Sequence, residues 1–291
     1  MNVYYANDTL FHAGSVAVTQ SLVKRLTDQG HTIVGRCMRP DGPDAEGLRL
    51  CDALVVNGEG TFRDERRQWE PGRQRRLADG MLRAKAMGKR VHFINATWCN
   101  MQPGWGDLLA SLDEVAVRET MSADEMERVQ GVRPHVYLDA SYYAPLGECR
   151  TYLDFRDKVV VGKLYPHNFP DGLTEAHVYF DQWHDRLPIL PPGDGLTWQE
   201  IIRSLRGARL YITGQQHGVY AACVARVPFV YCKCNTHKVE GLFEWAGVDI
   251  PTVRNAEDVP ICVEWALEHP EVYRQLFEFM ATREPWPGIL D

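Results

Sequence analysis

Two short polar stretches, Thr213-Gly-Gln-Gln-His-Gly218 and Cys234-Asn-Thr-His-Lys238, each follow an apolar run and each carry a histidine. Imidazole holds or moves a proton near neutral pH, and the lysine beside the second histidine adds a fixed positive charge. If each stretch sits where a strand hands over to a helix, Gly214, Gln215, Gln216, Gly218, Asn235, Thr236, His237 and Lys238 present N–H and side-chain donors to an anionic donor group. His217 is then placed for proton transfer. Earlier in the chain, Asn57-Gly-Glu-Gly-Thr61 sets one carboxylate between Gly58 and Gly60, a spacing that suits a tight turn and a close backbone approach. Glu59 is the candidate general base there. His12-Ala-Gly-Ser15 offers His12 as an alternative base, with Gly14 leaving room for a ligand and Ser15 able to cap a helix. Arg118, closing the apolar run 114–117, has the fork that clamps a phosphate or carboxylate, or it pairs internally with Glu119 or Asp139.

The elements that must position these residues follow from the hydropathy pattern. Short apolar runs alternate with amphipathic stretches along the whole length, the signature of repeated βα units around a mostly parallel sheet. Strands are predicted at 3–6, 31–36, 51–57, 90–95, 114–118 and 135–139, with helices at 14–28 and from about 72 to 87. A capping box at Ser122 and Glu125 opens another short helix. A linker at 144–157 separates this series from a second one. That series starts with strand 158–163 and resumes after a proline-rich stretch, 164–196, with helix 197–205, strand 208–213, helix 216–225, strand 228–233 and helix 236–246. The expectation is an α/β chain with two Rossmann-like domains, mostly parallel sheets and an interdomain cleft. The domains are an acceptor-side one at 1–147, a donor-binding one at 155–265, and a helical segment at 266–291 that packs back on the first. In such sheets the ligand crevice lies at the carboxyl ends of the strands, where all of the residues above fall.

Composition narrows the function classes. At 291 residues with 45% hydrophobic content the chain can bury two ordinary cores. No apolar run reaches the roughly eighteen residues of a membrane span, and the N-terminus lacks a basic-then-apolar leader pattern, so a soluble cytoplasmic protein is expected. The eight cysteines show no paired spacing for zinc or for a small disulfide framework, so they read as reduced buried thiols. There is no Asp-x-Asp, and no metal is expected. The net charge of -7 argues against indiscriminate nucleic-acid binding, yet segment 63–90 is strongly basic, with ten Lys/Arg against four acids. It is a solvated helix face or a surface for an anionic acceptor.

At these residues the sequence resembles the polysaccharide pyruvyl transferase family, whose members are similar in fold to GT-B glycosyltransferases. The resemblance is carried by the Gly-Ser helix at 14–28, CDALVVNGEGT at 51–61, GKRVHFINATW at 88–98, AVRETMSADEM at 116–126 and the stretch 208–247. NGEGT and NTHK together mark one branch of that family. Where members typically carry Arg-x-His, this chain has Gln215-Gln216-His217, so the cation that would partner phosphoenolpyruvate is missing while the histidine is kept.

Three functions are compatible with these residues. The first is a metal-independent GT-B-type glycosyltransferase, with no permanently bound cofactor and a nucleotide sugar as co-substrate. Glu59 or His12 would deprotonate the acceptor hydroxyl, and the 214–218 and 235–238 groups would hold the donor phosphates. Its acceptor is an anionic glycan, or DNA bearing a hydroxymethylated base, met by the basic 63–90 segment. The second is what the resemblance implies: pyruvyl ketal transfer from phosphoenolpyruvate to a glycan, with His217 as general acid and Arg118 on the carboxylate. The third is a non-catalytic binding relative.

Overall fold

The computed structural model describes residues 1–9, 12–38, 42–63, 72–149, 152–172, 185–186 and 195–290. Residues 64–71 of the expected basic surface, and 173–184 and 187–194 of the expected loop-rich stretch, lie outside the described residues. The chain divides into two compact units. The first comprises Met1–Thr9, Thr19–Ala140 and Glu284–Asp291, and the second Leu10–Val18 and Ser141–Arg283. Residues 266–283 of the expected final segment thus lie in the second unit, and only its end, Glu284–Asp291, lies in the first.

The first unit is built on a six-stranded parallel sheet in the order β2-β1-β3-β4-β5-β6. Its strands are β1 (Asn2–Asp8), β2 (Thr32–Met38), β3 (Ala53–Glu59), β4 (Arg90–Ala96), β5 (Glu114–Val117) and β6 (His135–Val136). The central strands are buried along their whole length, which is why they read as continuous apolar runs rather than alternating ones. Helices α1 (Ala13–Asp28), α3 (Arg73–Ala86) and α5 (Thr120–Gln130) are the long crossovers. Two short helices were not expected: α2 (Ala45–Leu50), capped by the Asp44 carboxylate on the Gly47 N–H, and α4 (Gly106–Ser111). The start of α5 corrects the expected capping box. The Glu119 carboxylate, one residue outside the helix, accepts from the Ser122 N–H, so Ser122 lies inside the first turn. A core runs from Tyr4 and Leu54 through Phe93 to Trp98, with Phe62 stacked on Trp98 at 5.7 Å between ring centroids.

The second unit carries a five-stranded parallel sheet in the order β11-β10-β9-β7-β8. Its strands are β7 (Val159–Val161), β8 (Asp185–Arg186), β9 (Leu210–Thr213), β10 (Phe229–Cys232) and β11 (Thr252–Val253). Helix α6 (Trp198–Leu205) opens on the expected capping box, with Thr197 and Glu200 bonded reciprocally. Helix α7 (Gln216–Ala225) leaves β9. Helix α8 (Glu240–Ala246) starts later than expected, so 236–239 form the approach to it. The last helical region is two helices, α9 (Asp258–Glu268) and α10 (Pro270–Ala281), because Pro270 cannot continue the first and suits the opening turn of the second. Tyr273 of α10 bonds the Phe229 carbonyl at 2.5 Å and packs edge-on to its ring, which fixes α10 beside β10.

In each sheet the strand order reverses once. In the first, β1 has β2 on one side and β3 on the other; in the second, β7 has β8 on one side and β9 on the other. A topological switch point of this kind leaves a crevice beyond the strand carboxyl ends, since successive crossovers run to opposite sides.

Candidate functional site

At the first switch point the loops after β1 and β3 are tied together by polar side chains. Asn7 donates from Nδ2 to the Asn57 carbonyl at 2.5 Å, and the Asn95 amide donates to Asn57 Oδ1 at 3.1 Å. Thr9 Oγ1 donates to Glu59 Oε2 at 2.5 Å. Asn7, Glu59 and Asn95 all have positive φ, at 67°, 38° and 55°. Three non-glycine residues in that region, one at each of three neighbouring strand ends, are backbone strain gathered where ligands bind such sheets. Gly58 is required by packing, because a Cβ there would lie 2.5 Å from that of Ala96. Gly60 meets nothing closer than Arg118 Nη2 at 3.9 Å, so its side of the loop has room. Thr61 accepts from Arg73 and Asn7.

Arg118, also in this unit, is internally paired. It donates from Nη1 to Asp139 at 2.5 Å and from Nε to Thr97 at 2.7 Å, and both members of the ion pair are buried. Its charge is compensated by protein, which is the structural alternative that the sequence left open for it.

In the second unit His12 and Gly14 meet His217. The two imidazole centroids are 4.9 Å apart with planes inclined at 59°. Gly14 makes that approach possible, because a Cβ on it would fall 2.3 Å from His217 Cγ. The start of α1 is capped by His12 rather than by Ser15: the Ser15 N–H donates to His12 Nδ1 at 3.2 Å. The other ring nitrogen, Nε2, lies 3.4 Å from Ser15 Oγ, so both nitrogens of His12 are engaged by Ser15.

Gln215 and Gln216 open α7 beside His217, both buried (6% and 3% exposed). Gln215 Nε2 bonds the Tyr165 hydroxyl at 2.7 Å, joining the loops after β7 and β9 across the second switch point. Burial pushes the Tyr165 phenol up, outweighing the hydrogen bond from Gln215, which lowers it, so the hydroxyl keeps its proton. Gln215 Oε1 and Gln216 Nε2 are buried without a hydrogen-bond partner. Gly214 and Gly218 stand in the same turn, the first bonded from N to the Lys163 carbonyl at 3.1 Å and the second packed on Thr213.

The loop after β10 lies next to that after β9, as Tyr231 pairs with Thr213. There Lys238 Nζ donates to Asn235 Oδ1 at 3.1 Å, Asn235 is exposed, and Thr236, His237 and Lys238 are half-buried. The His237 carbonyl accepts from the Gly241 N–H, so the residue belongs to the turn before α8. All eight cysteines are free, and burial raises Cys223 and Cys232 far above the usual thiol range and Cys262 to about 11.

The residues at these strand ends that the sequence reading did not single out are Asn7, Thr9, Asn95, Tyr165 and Arg73. Asparagine directly after an apolar run was the available signal for the first and third, since it tolerates the left-handed region better than other side chains.

The sequence profile of the family described as polysaccharide pyruvyl transferase matches residues 12–236. No curated protein matches the chain in sequence. Among solved structures it is similar to S. aureus MnaA, solved with UDP, at TM-score 0.61 and 9% identity, covering 95% of this chain and 90% of that one. It is also similar to the UDP-GlcNAc 2-epimerase of Methanocaldococcus jannaschii, at TM-score 0.55 and 10% identity over 92% and 93% of the two chains. Arabidopsis thaliana UGT89C1, complexed with UDP, gives TM-score 0.51 and 8% identity over 96% and 93%. These likenesses show the fold, which is GT-B-like, with parallel Rossmann-like sheets. Among the described residues no helix is long and apolar enough to cross a membrane.

Proposed function

The chain belongs to the polysaccharide pyruvyl transferase family and is a glycan-modifying transferase, and on that premise we propose that it moves a sugar from a nucleotide-sugar donor to an acceptor hydroxyl. One observation carries the choice of donor. At the N-terminus of α7, beside His217, the chain presents two neutral amides, and Gln215 Oε1 and Gln216 Nε2 are buried there without a partner. An amide offers one donor and one acceptor and no charge, which suits the hydroxyls of a sugar. A carboxylate-bearing donor such as phosphoenolpyruvate loses its charge-assisted bonds at that place, at roughly 1.5 to 3 kcal/mol each. The fold relatives solved with UDP support the same reading.

In this reading Glu59 takes the proton of the acceptor hydroxyl, since Nδ1 of His12 already accepts from Ser15. His217, the N–H groups at the start of α7, and Asn235, Thr236, His237 and Lys238 stabilise the departing diphosphate without a metal. The acceptor is a glycan.

The second reading, pyruvyl transfer, is favoured by the family itself and by the retained His217. It asks Arg118 to hold a carboxylate while that side chain is paired with Asp139. Melting the purified chain with UDP-glucose, UDP and phosphoenolpyruvate separates the two. A rise in Tm with the UDP ligands alone supports sugar transfer, and a rise with phosphoenolpyruvate alone reverses the assignment. A rise in Tm with a ligand, together with unchanged transfer in Glu59→Gln and His217→Ala, would leave a binding protein.

A further inference from the structure

Arg73 opens α3 and is 1% exposed. From Nη2 it donates to Asn7 Oδ1 at 3.1 Å and to Thr61 Oγ1 at 2.6 Å, and both acceptors are neutral. Among the described residues its buried Nε has no hydrogen-bond partner. Among the described residues none of the ion pairs includes Arg73. Arg118, equally buried in the same unit, shows the usual solution, a carboxylate at 2.5 Å. A guanidinium cannot shed its proton to escape burial, so one held, among the described residues, only by neutral oxygens stands without the close carboxylate that buried ions ordinarily have.

The place of this unbalanced charge is informative. Asn7 lies at the carboxyl end of β1, one residue before its last, and Thr61 follows β3, so Arg73 reaches the switch point of the first sheet, where Thr9 and Glu59 also stand. We propose that Arg73 is the seat of an oxoanion, and that the anion is the carboxylate of an acidic sugar in the acceptor. Two strand-end loops hold the guanidinium by one nitrogen, and Nε remains to be satisfied by an incoming oxygen. Choosing an acidic sugar rests on the transferase reading, with Glu59 taking the hydroxyl proton of the same acceptor; the anion seat itself rests only on the buried charge.

Binding can be read without any transfer activity. The whole chain is melted against sodium phosphate, sodium glucuronate and glucose, with sodium chloride matching ionic strength. Phosphate and glucuronate should raise Tm saturably, while glucose and chloride leave it unmoved. In Arg73→Gln the half-saturating concentration of both anions should rise at least about tenfold, the equivalent of one charge-assisted bond. Arg73→Lys keeps the charge but not the fork, and should weaken both several-fold; it decides the matter if circular dichroism shows Arg73→Gln unfolded. Absence of any response above chloride, or unchanged midpoints in the variants, overturns the seat. A phosphate response without one to glucuronate overturns the acidic sugar. None of these results depends on UDP ligands, so failure of the donor assignment is scored separately.

Discussion

At the scale of single residues, the two histidines at 12 and 217 owe their proximity to the missing side chain at 14. Gly14→Ala drives a methyl into the His217 ring, so one of the two must move. Overpacking of this kind costs about 1–3 kcal/mol, which urea unfolding would register. If His217 is positioned for catalysis, kcat should fall at least about a hundredfold, with KM changing much less. A loss of stability with kcat intact would make the contact merely structural. Gln215→Arg restores the cation that family members carry. In binding titrations it should tighten phosphoenolpyruvate about tenfold or more and weaken UDP-glucose, because a buried fork then faces hydroxyls in place of a carboxylate. An unchanged preference would show that donor choice lies elsewhere. His12 and Gly14 were legible as a candidate loop, yet the capping role of His12 was not. A histidine Nδ1 stands in for the usual serine oxygen, and nothing in spacing distinguishes the two.

Elements were legible in proportion to their length and burial. The strands β3, β4, β9 and β10 announced themselves because each is buried along all or nearly all of its length and centred on apolar residues, and α6 because Thr197 and Glu200 form both halves of its box. Helices α2 and α4 have six residues each, too few to show a helical period, and β11 has two. Their ends are set by tertiary contacts instead. Tyr4, for one, reaches from β1 to bond the Asp44 carboxylate at 2.6 Å while that carboxylate caps α2. The Gly47 N–H and then the Tyr4 hydroxyl hold the Asp44 carboxyl below the usual range. A depressed folded value means that this contribution is complete above the unfolded value and is lost as pH falls through the folded one. Asp44→Asn should therefore flatten the acid limb of the stability profile, with wild type and variant converging as pH drops. Parallel acid limbs would remove Asp44 from the account. Thr197→Ala should cost about 1 kcal/mol through loss of the α6 cap, readable as a lower urea midpoint with unchanged slope.

On the scale of the whole molecule, the two parallel sheets and their strand-end loops followed from alternation of apolar and amphipathic segments, but the path of the chain's end did not. The expectation gave one helical segment to the first domain. Within 266–291, residues up to Arg283, α10 among them, belong to the second unit, and the described residues that belong to the first, 284–290, are irregular. Such a stretch has no periodicity to read, and it is fixed by particular bonds. Trp286 and Ile289 are buried, and Trp286 Nε1 donates to Glu114 at 2.8 Å. Arg25 and Gln29 of α1 donate to the carbonyls of Trp286 and Pro287. The stability of the first unit is thus partly written in the last residues of the sequence. Replacing Trp286 by alanine empties a large buried site and leaves the Glu114 carboxylate with His92 alone of its two side-chain partners, an expected loss of about 3–5 kcal/mol. Because local opening follows local packing, the loss should be uneven. Hydrogen exchange should quicken in β4 and β5, against which His92, Glu114 and Trp286 pack, while the amides of β9 and β10 keep their protection. Equal acceleration in both sheets would mean instead that the two units unfold as one, and that the tail stabilises the molecule as a whole.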